Sequence, residues 1–98
     1  MARNRPEVYG GVDTHGRTHH AAAISRAGEV IADREFAATP TGYRQLIGWL
    51  RQLGDVIKVG VEGTGSYGAG LARALTGEQI AVVEVDRPDQ HVAVAPSR

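Results

Sequence analysis

Residues 7–36 read EVYGGVDTHGRTHHAAAISRAGEVIADREF, and their rhythm decides the fold. Residues 7–14 (EVYGGVDT) are apolar and rich in Val and Gly, the composition of a strand. His15-Gly16-Arg17 supplies a turn, and residues 19–25 (HHAAAIS) read as a second strand. Ala27-Gly28 is the next turn signal, and residues 29–36 (EVIADREF) read as a third strand. Both links are too short for a crossover, so the three strands are expected to form an antiparallel meander.

Downstream, the period changes from strand to helix. Thr39 is placed to cap a helix that has Pro40 at its first position. Tyr43, Leu46, Ile47, Leu50 and Leu53 recur at helical spacing and mark its buried face, and Gly54 stands where a glycine cap belongs. Residues 57–62 (IKVGVE) read as a fourth strand. Ser66 is the expected cap of a second helix that ends near Thr76-Gly77, and residues 80–86 (IAVVEVD) read as a fifth strand stopped by Arg87-Pro88. The predicted order is β-β-β-α-β-α-β. This is the order of an α/β domain of the RNase H-like class, with a five-stranded mixed sheet. Right-handed crossovers place the fourth strand beside the first and parallel to it.

Length and composition fit one small domain with one core: 98 residues, 42% apolar and 22% charged. Residues 1–6 are expected to be a flexible N-terminus, residues 7–89 the domain, and residues 90–98 a tail. There are no cysteines, which excludes disulfides, a thiol nucleophile and a zinc–thiolate site. No long apolar run marks a membrane span, and no apolar segment follows the Met-Ala-Arg-Asn-Arg-Pro start as in a signal peptide, so the expected location is the cytoplasm. The formal net charge is zero, so charge alone gives no footprint of a nucleic-acid partner. A site built from carboxylates would itself lower the net charge of its domain.

Two acids stand out. Asp13 lies near the end of the first strand and Glu62 at the end of the fourth, each directly after an apolar Gly-Val run, GGVD and VGVE. If those strands are parallel neighbours, the carboxylates converge at the carboxyl edge of the sheet, where open α/β sheets place their ligands. Carboxylates held together repel unless a cation sits between them or one stays protonated. Hard oxygen ligands suit Mg2+ or Mn2+, and such ions can activate water and stabilise the leaving oxygen of a phosphodiester. The bland alternative is a pair of strand-end acids facing water.

GVDTH followed by THHAAA, TPTGYRQLIGWLR, VGVEGTGSYGAGLARAL and VVEVDRP resemble successive blocks of the DEDD transposases, the bacterial insertion-sequence family that includes the Piv DNA invertase. The likeness spans about residues 8–89, and VEGTGSYG is its most specific block. It implies a RuvC-like catalytic domain acting on DNA with divalent metal. It further implies a guide RNA as partner of the intact enzyme, and self-association. It puts Asp13 in the place of the family's first aspartate and Glu62 in that of its glutamate. The remaining two aspartates belong to a Lys-Ser-Asp-x-x-Asp-Ala motif on a following, acid-bearing helix, and this sequence has no such motif. Asp86 and Asp89 sit too early to replace them. Gly16-Arg17 also departs from the Lys-Asp often found there. The resemblance therefore implies half of a four-acid site, in a fragment of a transposase catalytic domain that is not competent alone.

Gly63-x-Gly65-x-x-Gly68 also matches a dinucleotide fingerprint, with Glu84 and Asp86 about 20 residues on. A small nucleotide- or dinucleotide-binding module using Gly63, Gly65 and Gly68 is thus the alternative. Against it, Glu62 would repel a pyrophosphate, and three strands and a helix precede a motif that normally opens its domain. Under the transposase reading, Gly63, Thr64, Gly65 and Ser66 are candidate phosphate or DNA contacts. The first hairpin is also similar to that of actin-like and sugar-kinase folds, which are far longer.

Of the histidines, His19 and His20 should face opposite sides of their strand, while His15 shares the face of Asp13. Trp49 is expected at the edge of its helix stripe, and Arg44, Arg51 and Arg73 on solvated helix faces. Residues 91–96 (HVAVAP) leave open a sixth strand, a dimer arm or disorder.

Overall fold

The computed structural model describes residues 5–65 and 67–85. Residues 1–4, Ser66, Asp86, Asp89 and the HVAVAP segment lie outside the described residues.

β1 (Glu7–Thr14) buries every second side chain, Val8, Val12 and Thr14 with Gly10 between them, and turns Tyr9, Gly11 and Asp13 to the other face. β2 (Thr18–Ser25) does the same with His19, Ala21 and Ala23 inward. β3 (Val30–Ala37) contributes Phe36. The three strands pair antiparallel in sequence order, as the short links require. β2 begins at Thr18, and β3 is displaced by one residue from the expected 29–36 to 30–37.

α1 (Pro40–Leu53) starts as read from the sequence. The Thr39 hydroxyl accepts from the Gly42 N–H at 3.0 Å, and Pro40 occupies the first turn. Leu46, Ile47 and Leu50 are buried, Tyr43 and Leu53 half-buried. Trp49 is itself buried and packs against Phe36 with ring centroids 5.5 Å apart. Gly42 is required by space, because a methyl there would overlap the Ala37 carbonyl oxygen. Gly54 follows α1 in extended rather than left-handed backbone. It too is needed for room, since a side chain would strike the Pro6 carbonyl, to which Asp55 N–H donates at 2.9 Å.

β4 (Asp55–Glu62) runs parallel to β1, and β5 (Ala81–Val85) parallel to β4, giving the sheet order β3-β2-β1-β4-β5. β4 starts two residues before the expected strand. An irregular step in the β1–β4 register at Val8 and Tyr9 lies there and breaks the apolar alternation. α2 (Ala69–Gly77) has Gly68 at its N-cap, two residues on in sequence from the expected cap, with no side-chain cap hydrogen bond. The loop before it folds on itself, with Gly63 at φ 68° and Gly68 N–H donating to the Gly63 carbonyl at 2.8 Å, so the helix begins only afterwards. Its end is marked by Gln79 in left-handed backbone, and Ile80 N–H donates to the Leu75 carbonyl at 3.0 Å.

Leu71 and Leu75 of α2 join Leu46 and Leu50 of α1 and the inward residues of β1, β2 and β4 in one core. Both helices therefore cover the same face of the sheet. The other face carries Gly11, Ala22 and Gly60 at its centre, with Val83 and Val85 exposed beside them. Among the described residues no helix is long and apolar enough to cross a membrane.

Candidate functional site

β1 and β4 are parallel and in register at Gly10–Val59, Gly11–Gly60 and Val12–Val61. Val12 and Val61 point into the core, so the next residue on each strand points away from it. Those residues are Asp13 and Glu62. Alternation and a parallel register thus set two carboxylates side by side on the uncovered face, at the carboxyl edge of the sheet. Both line one hollow of about 460 Å3, floored by Gly11, Ala22 and Gly60 and bounded by His20 and Val85. Three small residues on neighbouring strands make the hollow, because any longer side chain there would fill it.

The strand ends are tied to each other. Thr14 is fully buried, and its hydroxyl donates to the Glu62 carbonyl at 2.7 Å, across 48 residues of sequence. This bond fixes the end of β1, one residue after Asp13, against the backbone of Glu62 itself at the end of β4. The Asp13 side chain is about half exposed, and Oδ2 lies 3.5 Å from His15 Nε2. His15 therefore shares the face of Asp13, as the sequence predicts.

His19 and His20 divide between the faces. His19 is fully buried on the helix side and stacks on Tyr43 at 5.8 Å with ring planes 8° apart. Its Nδ1 lies 3.0 Å from the Thr18 carbonyl, and Nε2 has no partner among the described residues. Burial pushes the imidazole pKa below its ordinary 6.5, against the bond to Thr18 and with a smaller push from His15. His20 stands directly opposite Asp13 across the β1–β2 ladder, and its Nε2 meets Asp33 Oδ1 at 2.9 Å. The sequence separates the two histidines but does not bring His20 to the acids. The signal that finds it is the length of the 15–17 turn, which sets the hairpin register and so the residue facing Asp13.

Of the candidate phosphate contacts, Gly63 and Thr64 are half-buried and Gly65 exposed in the loop after Glu62, while Ser66 lies outside the described residues. The Gly68 N–H is already committed to Gly63 and is not free to hold an anion. The arginines of the helices lie exposed as expected, with Arg51 paired to Glu78 at 2.8 Å and Arg44 donating to the Thr41 hydroxyl at 3.2 Å.

The meander, the parallel β1–β4 pair and the two acids at its end coincide with a match of residues 10–94 to the family model DEDD_Tnp_IS110, described as a transposase. The chain belongs to this DEDD transposase family. Its five-stranded mixed sheet is accordingly the RNase H-like sheet of a DEDD transposase domain. No curated protein matches the chain.

A divalent ion is what the family implies in general terms, and the donor set can be tested against it. Asp13 and Glu62 offer hard oxygens on adjacent strands of a shared hollow, which suits Mg2+ or Mn2+ and not a soft metal. Among the described residues no group of three acidic, histidine or cysteine side chains is close enough to form a complete metal site. The fit is that of a partial site, in which water, a substrate phosphate or further acids must complete the coordination.

Proposed function

We propose that residues 7–89 of this transposase chain form a cytoplasmic catalytic half-domain in which Asp13 and Glu62 hold Mg2+ or Mn2+ for phosphodiester chemistry on DNA. The observation that carries the reading is the sharing of one hollow by these two acids at the ends of adjacent parallel strands. The metal would supply charge neutralisation and an activated water at the phosphodiester. Thr14 holds the two strand ends in register, and the small floor residues let a substrate approach the sheet closely. His15 and His20 flank Asp13. Gly63, Thr64, Gly65 and Ser66 follow Glu62 directly in sequence and are the proposed contacts for a DNA phosphate. A guide RNA and a second copy of the chain belong to the same proposal as partners of the intact enzyme.

The DEDD pattern asks for four acids and this sequence supplies two at the matching blocks, so these 98 residues alone should cleave little DNA. The test is a manganese titration of wild-type and Glu62→Gln protein read by NMR line broadening. Broadening confined to the ends of β1 and β4, and lost in Glu62→Gln, supports the half-site. Broadening spread evenly over the surface sinks it. Micromolar binding of NAD or ATP would favour the glycine-loop alternative instead. Robust metal-dependent cleavage of branched DNA, abolished by Asp13→Ala, would show that the two acids suffice.

A further inference from the structure

Two segments leave the sheet at its carboxyl edge: the 15–17 turn, two residues after Asp13, and the loop that follows Glu62. One side chain joins them. Tyr67, in the loop, lies against the turn at Gly16, with Cε1 and Cζ 3.7 and 3.9 Å from the position a Gly16 β-carbon would take. The residue is 56% exposed, far more than a packing role requires. Around it the turn presents His15 and Arg17 to solvent, and Arg17 forms no ion pair among the described residues. An open aromatic face, an uncommitted cation and a carboxylate pair thus share one rim.

We propose that Tyr67 is a stacking platform for an unpaired nucleotide held beside Asp13 and Glu62, with Arg17 on the adjoining phosphate. The proposal rests on the DNA-processing reading above and deepens it by naming the substrate class. In an intact duplex both faces of each base are covered by its neighbours, so a protein ring has no face to stack on. A single strand, a flap or a branch point exposes one, and aromatic stacking then binds any base because every base has a π-face. Arg17, the residue after Gly16 in the same turn, would add the backbone contact that such sites use. The rim therefore selects strands with a displaced base next to the phosphodiester at the acids.

The test uses the full chain and a 2-aminopurine-labelled oligonucleotide, single-stranded or annealed to its complement, with Mn2+ present. Wild-type protein should bind the single strand more tightly than the duplex and quench the probe by stacking. Tyr67→Leu should weaken single-strand binding about tenfold or more and abolish the quenching, while Tyr67→Phe retains both. The side chain is exposed, so the melting temperature of either variant should match wild type and certify folding. Single-strand affinity and quenching unchanged in Tyr67→Leu would overturn the stacking role alone. Binding of neither DNA form by wild-type protein would overturn the DNA reading of this domain, and the stacking role with it.

Discussion

Replacing Thr14 by Val tests the tie between the two site strands. Valine keeps the β-branched shape that suits the buried end of β1 and removes only the hydroxyl. That hydroxyl is fully buried and donates to the Glu62 carbonyl at 2.7 Å, a short O–H···O contact between residues 48 apart in sequence. Removing a buried donor costs the net bond and part of the desolvation of the acceptor it leaves, together about 1–2 kcal/mol. For a domain of this size, that loss lowers Tm by about 4–16 °C. The second effect is functional. With the tie gone, the ends of β1 and β4 are held less closely together, and the manganese response there should weaken even at temperatures where the domain is fully folded. Thermal unfolding by circular dichroism gives the first number and the manganese titration the second. Thr14→Ser, which retains the hydroxyl, should retain the manganese response. A Thr14→Val protein that melts with the wild type would refute the claim that this bond holds the strand ends together.

Three further outcomes follow from the structure. His19 is buried neutral with its pKa depressed below 6.5, so an unfolded chain takes up a proton at a pH where the folded one does not. Stability should be at its full value above that pH and fall as the pH drops below it, by at most about 1.4 kcal/mol per pH unit, until the buried ring itself protonates. Urea denaturation from about pH 8 to about pH 5 checks this, and His19→Phe should flatten the slope. Gly42→Ala forces a methyl onto the Ala37 carbonyl oxygen and should cost about 3 kcal/mol or more. Gly48→Ala, on the open side of the same helix with nothing near it, should instead stabilise by about 0.5–1 kcal/mol in the same assay. Finally, Asp13→Asn should abolish the localised manganese broadening as completely as Glu62→Gln, since among the described residues the pair belongs to no group of three or more acidic, histidine or cysteine side chains that could hold an ion without it.

What could be read before the structure was whatever short-range chemistry decides. The meander follows from turns too short to do anything else, and α1 from Thr39, Pro40 and a clean apolar stripe. The convergence of Asp13 and Glu62 followed from two Gly-Val runs and one topological rule. The features that escaped depend on where backbones meet at a distance. The helix cap falls on Gly68, where a β-carbon would lie 2.8 Å from the Glu62 carbonyl oxygen and where no side chain is available to cap, so the cap chemistry sought in Ser66 gave no sign of it. Gly54 looks like a left-handed cap and is instead a clearance for Pro6. His20 gives no hint of its company in a single strand, because its neighbour is chosen by the hairpin register.

The sheet order also has a consequence for how the molecule assembles. β1, β2 and β3 pair with their neighbours in sequence, and these pairings close loops of only a few residues. β4 must bypass both β3 and β2 to reach β1, with the whole of α1 carried in the connection. That step closes a far longer loop and bears most of its entropic penalty before any contact repays it. Asp13 thus takes its place in a hairpin that can form early, and Glu62 arrives only with the non-local pairing. The carboxylate pair belongs to the late part of the folding reaction. A nascent chain that has not yet reached residue 62 carries one acid of the pair and no partner for it.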